Sequence, residues 1–245
     1  MNATGIPWAT PPENSVMVGL WIAIGRIAQI GRAVLRIVAF ALLYPLALAD
    51  GLWLRVAAPP NGTALAHARA AWLHRWSRVV RLVLGMHLDQ RGFTPVSGVV
   101  VASQASVLDA ILIAAIRPCV FVSSTEMRSR PFLGLMAKLG GTIFVDRHQR
   151  YDAVRADFMI QRAVQRRLIV VIFRECDNSK GTPSGTLSST LFQPASALGC
   201  TLTAAAIDRR RTTISFSAPA FRPGNRKQLA CRIRRELFAL QAGLA

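Results

Sequence analysis

Three polar segments of the chain, each following a predicted buried strand, carry the side chains best suited to chemistry. In the first, Gln104 and Asp109 lie five positions apart across the start of a predicted helix. The second is the charged pair Asp146-Arg147, and the third is the polar loop 174–181. Carboxylates and arginines of this kind serve proton transfer and anion binding. Each segment alone is more typical of a helix cap, a surface ion pair or a turn, but their shared position after strands favours one site.

No metal site is predicted from the cysteines and histidines of this sequence. The four cysteines contain no Cys-x-x-Cys pair, and the four histidines show no spacing typical of metal ligands. Residues 1–14 include no Lys or Arg and contain Glu13, which is unlike the start of a secretory signal. We therefore expect no cofactor of this kind and a reducing, cytoplasmic environment.

The composition indicates a folded protein with some surface available to lipid. The chain has 245 residues and a mass of 26.7 kDa, enough for one large α/β domain or a smaller domain with an accessory segment. Hydrophobic residues make up 52% and charged residues 17%, and the mean hydropathy is +0.34. Because this is more apolar than a typical soluble domain, we expect part of the surface to contact lipid.

The net charge of the chain is strongly positive. Lys and Arg number 30 against 12 Asp and Glu, which gives a formal net charge of +18. Such a field attracts anionic phosphate, on lipid head groups or on nucleic acid. The sequence has no basic patch interleaved with stacking aromatics and no recognisable nucleic-acid module, so anionic membrane lipid is the predicted partner and nucleic acid is not.

Residues 16–57 form the most apolar part of the chain and are predicted to be helical. Arg26, Gln29, Arg32 and Arg36 fall on a stripe about 120° wide at about 100° per residue, as in helices that lie in a membrane interface. The following uncharged run, Ile37 to Ala49, is shorter than the about 20 residues of a spanning helix. Three possibilities stay open: an interfacial or re-entrant hairpin, a transmembrane helix, and a helix packed on the protein's own core.

A second amphipathic helix and then an alternation of strands and helices are predicted beyond this segment. Residues 64–84 carry Trp and Val on one side and Arg elsewhere, which suits a solvated basic face or a membrane interface. From residue 98, short apolar runs alternate with helical stretches, which predicts an α/β fold with a mostly parallel central sheet flanked by helices. The predicted strands are Gly98–Ala102, Cys119–Ser124, Thr142–Val145, Leu168–Phe173, Leu202–Ile207 and Thr213–Ala218.

Residues 80–240 resemble the lysophospholipid acyltransferase family, whose best-known members acylate 1-acylglycerol-3-phosphate, or lysophosphatidic acid. The likeness rests on the segment Ser123–Gly134, on Gly141–Arg147 further along the chain, and on Leu191-Phe192-Gln193-Pro194-Ala195. It implies a membrane-docking helical segment over residues 1–62 and an acyltransferase-like α/β domain over residues 63–245. It also implies a peripheral or monotopic location at the cytoplasmic face of the cell membrane.

The resemblance assigns roles to six residues of the polar segments. In the family motif Asn-His-x-x-x-x-Asp, a neutral imidazole takes the proton of the acceptor hydroxyl and the carboxylate holds that imidazole in the right tautomer. Gln104 occupies the position of the histidine, and Asp109 occupies that of the carboxylate. Substrate binding falls to Ser106, Arg147, Glu175 and Ser179. The implied acyl donor is acyl-CoA or acyl-carrier protein, and the implied ligand is a lysophospholipid or an acyl chain.

The sequence departs from the family pattern at the positions that matter most for the reaction. An amide such as that of Gln104 cannot accept a proton near neutral pH. In the third segment Arg174, Cys176 and Asp177 replace the proline, glycine and threonine of the family block, and Asp177 adds a negative charge where a phosphate is expected. We therefore expect acyl transfer to be impaired or lost; the alternative is an active acyltransferase with an altered acceptor or base.

Two other residues are considered as a replacement base. His148 directly follows Arg147, but side chains at successive strand positions point to opposite faces, so only one of the two would face the site. Asp109 acting alone is a weaker candidate, because a solvated carboxylate has little driving force as a base.

Overall fold

A computed structural model describes residues 14–57, 62–103, 106–146, 150–173, 200–208, 212–219 and 226–243. The chain divides into two compact units, residues 1–44 and residues 45–245. The helices are α1 (Asn14–Ala57), α2 (Gly62–Val83), α3 (Val107–Ile116), α4 (Thr125–Ser129), α5 (Leu133–Leu139), α6 (Arg150–Gln165) and α7 (Arg226–Ala242). The strands are β1 (Asp89–Gly92), β2 (Gly98–Ala102), β3 (Cys119–Ser124), β4 (Ile143–Val145), β5 (Ile169–Phe173), β6 (Leu202–Asp208) and β7 (Thr213–Phe216).

The strands form one mixed sheet in the second unit, with the order β1-β7-β6-β2-β5-β3-β4. Strands β6, β2, β5, β3 and β4 are mutually parallel, and β7 pairs antiparallel with β6. The predicted α/β fold with a mostly parallel sheet is therefore confirmed. The five parallel strands end at one edge of the sheet, which we call the carboxyl edge; on β2, β5, β3 and β4 it is marked by Ala102, Phe173, Ser124 and Val145.

Alternate residues of the central strands fill two apolar layers. On one face, Val101 and Val170 belong to a core that includes Ile160 of α6 and Leu237 of α7. On the other face, Val100 and Val171 pack in a core with Leu112 and Ile113 of α3. Because both faces are covered by helices, the central strands β2 and β5 carry no polar side chain, as is typical of buried parallel strands. This is why continuous apolar runs predicted six of the seven described strands.

Strand β1 is the one described strand that the sequence did not predict. It consists of four exposed residues, Asp89-Gln90-Arg91-Gly92, with no apolar residue to signal a strand. It forms by pairing with the buried edge of β7, from Asp89 opposite Thr213 to Gly92 opposite Phe216. Gly92 has a φ of 80°, and a side chain there would collide with the Phe216 carbonyl oxygen, so glycine permits the close approach.

Helix α1 is continuous, and Pro45 lies inside it. A re-entrant hairpin within residues 16–57 is therefore wrong, because one proline removes a single backbone donor without ending so long a helix. Among the described residues, the stretch Gln29–Ala57 is long and apolar enough to cross a membrane by length and composition. In the first unit many of its large apolar side chains are exposed, including Ile27, Ile30, Val34, Leu35 and Ile37.

The end of α1 that belongs to the second unit packs on the protein itself. Ala47 is buried with Trp72 of α2 and Leu139 of α5. The Asp50 carboxylate accepts hydrogen bonds from Arg75 and, at 2.8 Å, from the indole N–H of Trp76. Of the three arrangements left open by the sequence, packing on the protein's own core therefore applies to one side of residues 45–57.

Substitutions on opposite faces of α6 test how this helix packs on the sheet. Ile160 is fully buried, so Ile160→Ala should lower the free energy of unfolding by about 2–5 kcal/mol, because burial decreases and a cavity forms. Val154 is exposed on the same helix, so Val154→Ala should change it by about 0.5 kcal/mol or less. Denaturant unfolding in mild detergent measures both. Equal effects would contradict the orientation of α6.

Candidate functional site

The carboxyl edge brings together the strand ends that precede the three polar segments. Ala102 of β2 pairs with Phe173 of β5, and Ser124 of β3 pairs with Val145 of β4. Since β5 lies between β2 and β3, the four strands that end there are consecutive neighbours in the sheet. Of the six predicted site residues, Ser106 and Asp109 lie within the described part of the chain. The other four lie outside the described residues: Gln104, Arg147, Glu175 and Ser179.

Ser106 and Asp109 form the start of α3 through two reciprocal hydrogen bonds. Ser106 is the N-cap residue, and its Oγ accepts a hydrogen bond from the Asp109 backbone N–H at 3.1 Å. Asp109 returns the interaction, because its Oδ2 accepts from the Ser106 backbone N–H at 3.0 Å. This capping box satisfies two backbone donors that a helix start otherwise leaves without partners. The sequence Ser-Val-Leu-Asp therefore encodes the sharp change from strand to helix after β2.

The capping box holds the Asp109 carboxylate in a buried position. Asp109 is 0% exposed, three residues inside the helix that follows the central strand β2. A carboxylate is stabilised in the first turn of a helix by the helix dipole and by hydrogen bonds from backbone donors. The group that the resemblance assigns to orienting a base is thus rigidly placed beside the carboxyl edge.

Helix α3 is held at its other end by α2. The Nδ1 atom of His74 lies 2.7 Å from the carbonyl oxygen of Ala114, in the last turn of α3. Because a carbonyl oxygen only accepts, Nδ1 carries the proton and His74 donates to a carbonyl that has no partner within the helix. The spacing of the histidines in the sequence does not reveal this role of His74, since the contact spans 40 positions of the chain.

The segment after β3, which carries much of the family resemblance, contains a tight turn. Phe132 has φ 64° and ψ −61°, and the Leu133 N–H donates to the Pro131 carbonyl at 2.7 Å. These values describe a γ-turn of the rare, strained type. Gly134 follows, where a Cβ would collide with the backbone carbonyl of Arg128. The glycine allows α4 and α5 to pack closely, and the turn leaves Phe132 exposed beside the sheet.

A carboxylate of α6 ties down the residue before Arg147. The Oδ2 atom of Asp152 accepts a hydrogen bond from the Asp146 backbone N–H at 3.0 Å, and Oδ1 lies 3.5 Å from Arg155 Nη1. Asp146 is the last described residue before the gap at 147–149. Asp152 therefore links the end of β4 to the first turn of α6, another positioning role that local sequence patterns did not reveal.

Metal or thiol chemistry finds little support in the described part of the chain. No group of three or more His, Cys, Asp or Glu there could hold a metal ion. Burial raises the pKa of the Cys119 thiol and also that of Cys200. Because the thiolate is the reactive form, neither group is activated as a nucleophile.

Substitutions in the capping box should separate its two halves. Ser106→Ala removes one acceptor and should lower the free energy of unfolding by about 1 kcal/mol, whereas Ser106→Thr keeps the hydroxyl and should cost less. Asp109→Ala leaves the half-buried Ser106 N–H without this acceptor and removes a buried side chain, so it should cost about 1–3 kcal/mol, more than Asp109→Asn, whose amide oxygen still accepts. Thermal and denaturant unfolding measure all four. An Asp109→Ala variant as stable as the wild type would contradict the structural role of the carboxylate.

Comparisons with known proteins agree on one family. A family model described as Acyltransferase matches residues 92–208. A lyso-ornithine lipid O-acyltransferase of Rhizobium meliloti (strain 1021) is 31% identical over 128 residues, which are 49% of this chain and 42% of that protein. A 1-acyl-sn-glycerol-3-phosphate acyltransferase of Neisseria gonorrhoeae is 31% identical over 127 residues, 51% of this chain and 50% of that protein. The matches thus span half or less of these relatives.

The fold also has a counterpart among solved structures. The crystal structure of the 1-acyl-sn-glycerophosphate (LPA) acyltransferase from Thermotoga maritima superposes with a TM-score of 0.60 and 15% sequence identity. The match covers 87% of this chain and 98% of that one. At this identity the likeness shows the fold, and the sequence relatives support the family.

Proposed function

Taking the chain as a member of the acyltransferase family, we propose that it binds a lysophospholipid at the carboxyl edge but transfers acyl groups slowly or not at all. The observation that carries the proposal is the buried Asp109, held by the capping box beside an edge where the base position is Gln104. The orienting half of the pair is preserved in place. The proton-accepting half is an amide.

The chemistry explains why this exchange is severe. Attack of a lysophospholipid hydroxyl on the thioester of acyl-CoA or acyl-carrier protein needs a group that takes the hydroxyl proton. The imidazole of the family motif does this and is kept in the right tautomer by the carboxylate. Gln104 offers an amide that donates and accepts hydrogen bonds but does not take up a proton at neutral pH. It can still hold a hydroxyl in place, which is compatible with binding.

The third polar segment is proposed to weaken recognition of a phosphate. It follows β5 in the sequence, and Phe173 at the end of β5 pairs with Ala102 of β2 at the carboxyl edge. Arg147 and Glu175 retain the family's residue types, with Ser179 further along the loop. Asp177 adds a charge that repels a phosphate, and Cys176 lacks the freedom of a glycine to turn backbone amides toward an anion.

We place the protein at a membrane through its N-terminal segment, residues 1–62. Support comes from the exposed apolar side chains of α1 and from the apolar stretch Gln29–Ala57. The net charge of +18 favours anionic lipid. The proposed location is the cytoplasmic face of the cell membrane, in a peripheral or monotopic arrangement, where lysophospholipids and acyl donors meet.

A second candidate is an active acyltransferase with a different acceptor. The name of the Rhizobium relative gives a lyso-ornithine lipid as acceptor. Ornithine carries an ammonium group, and Asp177 would attract that cation as strongly as it repels a phosphate. In this case another group must take the proton, and His148 is the candidate nearest in sequence to the second polar segment.

Activity measurements separate the two candidates. With lysophosphatidic acid and long-chain acyl-CoA or acyl-carrier protein, we expect turnover well below about 1 per second, because a missing base costs on the order of 10² to 10⁴ in rate. Binding of lysophosphatidic acid without turnover would support the first proposal. Turnover with a lyso-ornithine lipid that His148→Ala abolishes would support the second. Fast turnover with lysophosphatidic acid would contradict the claim that Gln104 is a handicap.

Reversion of both defects gives a sharper test. Gln104→His should recover little activity alone, because a negative charge at contact distance costs about 4 kcal/mol at an effective dielectric of about 20. Adding Cys176→Gly and Asp177→Thr should raise the initial rate by more than the product of the separate effects, since base and phosphate site act on one transition state.

The control for this series is the loop double variant without Gln104→His, which should stay inactive. Full turnover from Gln104→His alone would show that the third segment is no defect. A silent triple variant that is folded and binds lysophosphatidic acid would show that the positions assigned from the resemblance are wrong.

A further inference from the structure

Helix α6 has an apolar side that faces solvent as well as one that faces the core. Its inner side places Ala156, Ile160 and Ala163 in the apolar layer beneath the sheet. On the outer side, Tyr151 is 83% exposed, Val154 70% and Phe158 62%. A helix that packs on a sheet normally carries polar residues outward, and large apolar groups repeated along the outer face mark a contact surface.

The outer side of α6 combines these apolar groups with arginines in a narrow arc. At about 100° of helix rotation per residue, five exposed residues of this outer side fall within an arc of about 100°. They are Tyr151, Val154, Arg155, Phe158 and Arg162, which we call the α6 stripe. The acidic residues of the helix, Asp152 and Asp157, project on either side of this arc. Asp152 Oδ1 lies 3.5 Å from Arg155 Nη1, whereas no ion pair involves Arg162 within the described part of the chain. The surface presented outward is thus apolar and positively charged.

The position of the stripe relates it to the candidate site. Helix α6 packs on β4 and β5, and it begins five residues after Val145, where β4 reaches the carboxyl edge. The turn from Asp146 into the helix is held by Asp152. Tyr151 and Val154 therefore lie at the end of the helix nearest the carboxyl edge, on the side away from the core.

We propose that the α6 stripe is a second membrane-contact surface, which rests on an anionic phospholipid bilayer beside the carboxyl edge. Apolar side chains alternating with arginines fit the boundary between acyl chains and anionic head groups, and tyrosine favours that depth. The positive charge of the α6 stripe is complementary to the anionic head groups of such a bilayer, and a neutral bilayer offers no such complement. The inference deepens the proposed function, because a lipid ligand would then reach the edge directly from the bilayer.

A matched pair of double variants tests the apolar part. Phe93 and Val96 are 50% and 69% exposed in the loop between β1 and β2, and β1 lies at the other end of the strand order from β4, on which α6 packs. Val154→Ser with Phe158→Ser should weaken partition of the full chain onto vesicles by about tenfold, because two large apolar side chains no longer enter the bilayer. Phe93→Ser with Val96→Ser changes the same residue types and should alter it by about twofold or less. The vesicles are phosphatidylcholine with about 30% phosphatidylglycerol.

The two arginines of the α6 stripe are tested by comparing anionic with neutral vesicles. Arg155→Gln with Arg162→Gln should reduce partition onto the anionic vesicles by about fivefold or more and leave partition onto pure phosphatidylcholine unchanged. Added salt should lower wild-type partition more than that of this variant. Equal partition of wild type and both α6 variants on anionic vesicles would overturn the proposal.

Tight binding of α1 to the vesicles could hide the contribution of the α6 stripe, so a fluorescent probe on α6 itself provides a further test. Phe158→Trp should add fluorescence that brominated phospholipids quench, whereas Phe93→Trp should add fluorescence that they do not. No extra quenching at position 158, or a Val154→Ser, Phe158→Ser variant that changes the oligomeric state without changing lipid binding, would overturn the proposal in favour of a protein contact. Binding of short-chain lysophosphatidic acid below its micelle concentration should be equal in all variants, so its absence in the wild type would count against the proposed function and not against the stripe.

Discussion

In-register parallel pairing of β2, β5, β3 and β4 is the constraint on which the rest of the second unit depends. The pairing brings the ends of four strands to one edge of the sheet, although the ends at Ala102 and Phe173 are 71 positions apart in the sequence. Parallel strands need crossover connections, and α3 and α6 supply two of them on opposite faces. The same geometry that buries both faces therefore gathers the strand ends that the three polar segments follow in the sequence.

The capping box gives Asp109 a role in the fold beside the edge where the candidate site is proposed. Asp109 completes the strand-to-helix transition by accepting a hydrogen bond from the Ser106 N–H. A buried acceptor that satisfies a helix start cannot be removed cheaply. The buried, hydrogen-bonded position of Asp109 is therefore explained by the fold and is not by itself a sign of catalysis.

Two helices of the protein present apolar side chains to solvent. Helix α1 exposes apolar side chains in the first unit, and α6 exposes an apolar, basic side in the second. These exposed side chains do not fill the sheet core, which is closed by the inward-facing Ile160 of α6, Leu112 of α3 and their neighbours. Exposed apolar groups accompanied by arginine, in a chain with a charge of +18, are what the proposed contact with anionic lipid requires.

The sequence by itself determined the elements whose signal is local. Continuous apolar runs predicted β2 and β3 with their bounds. Residue types at fixed spacing after the strands carried the family resemblance. The sequence also has a glutamine at position 104, where the family motif has a histidine. Only the tertiary structure decided the rest. Strand β1 exists through pairing with β7, His74 and Asp152 act through contacts distant from their own local patterns, and α1 continues through Pro45. Local propensity reports burial and periodicity, whereas the partners of an exposed strand or a single polar side chain are chosen when distant segments pack together.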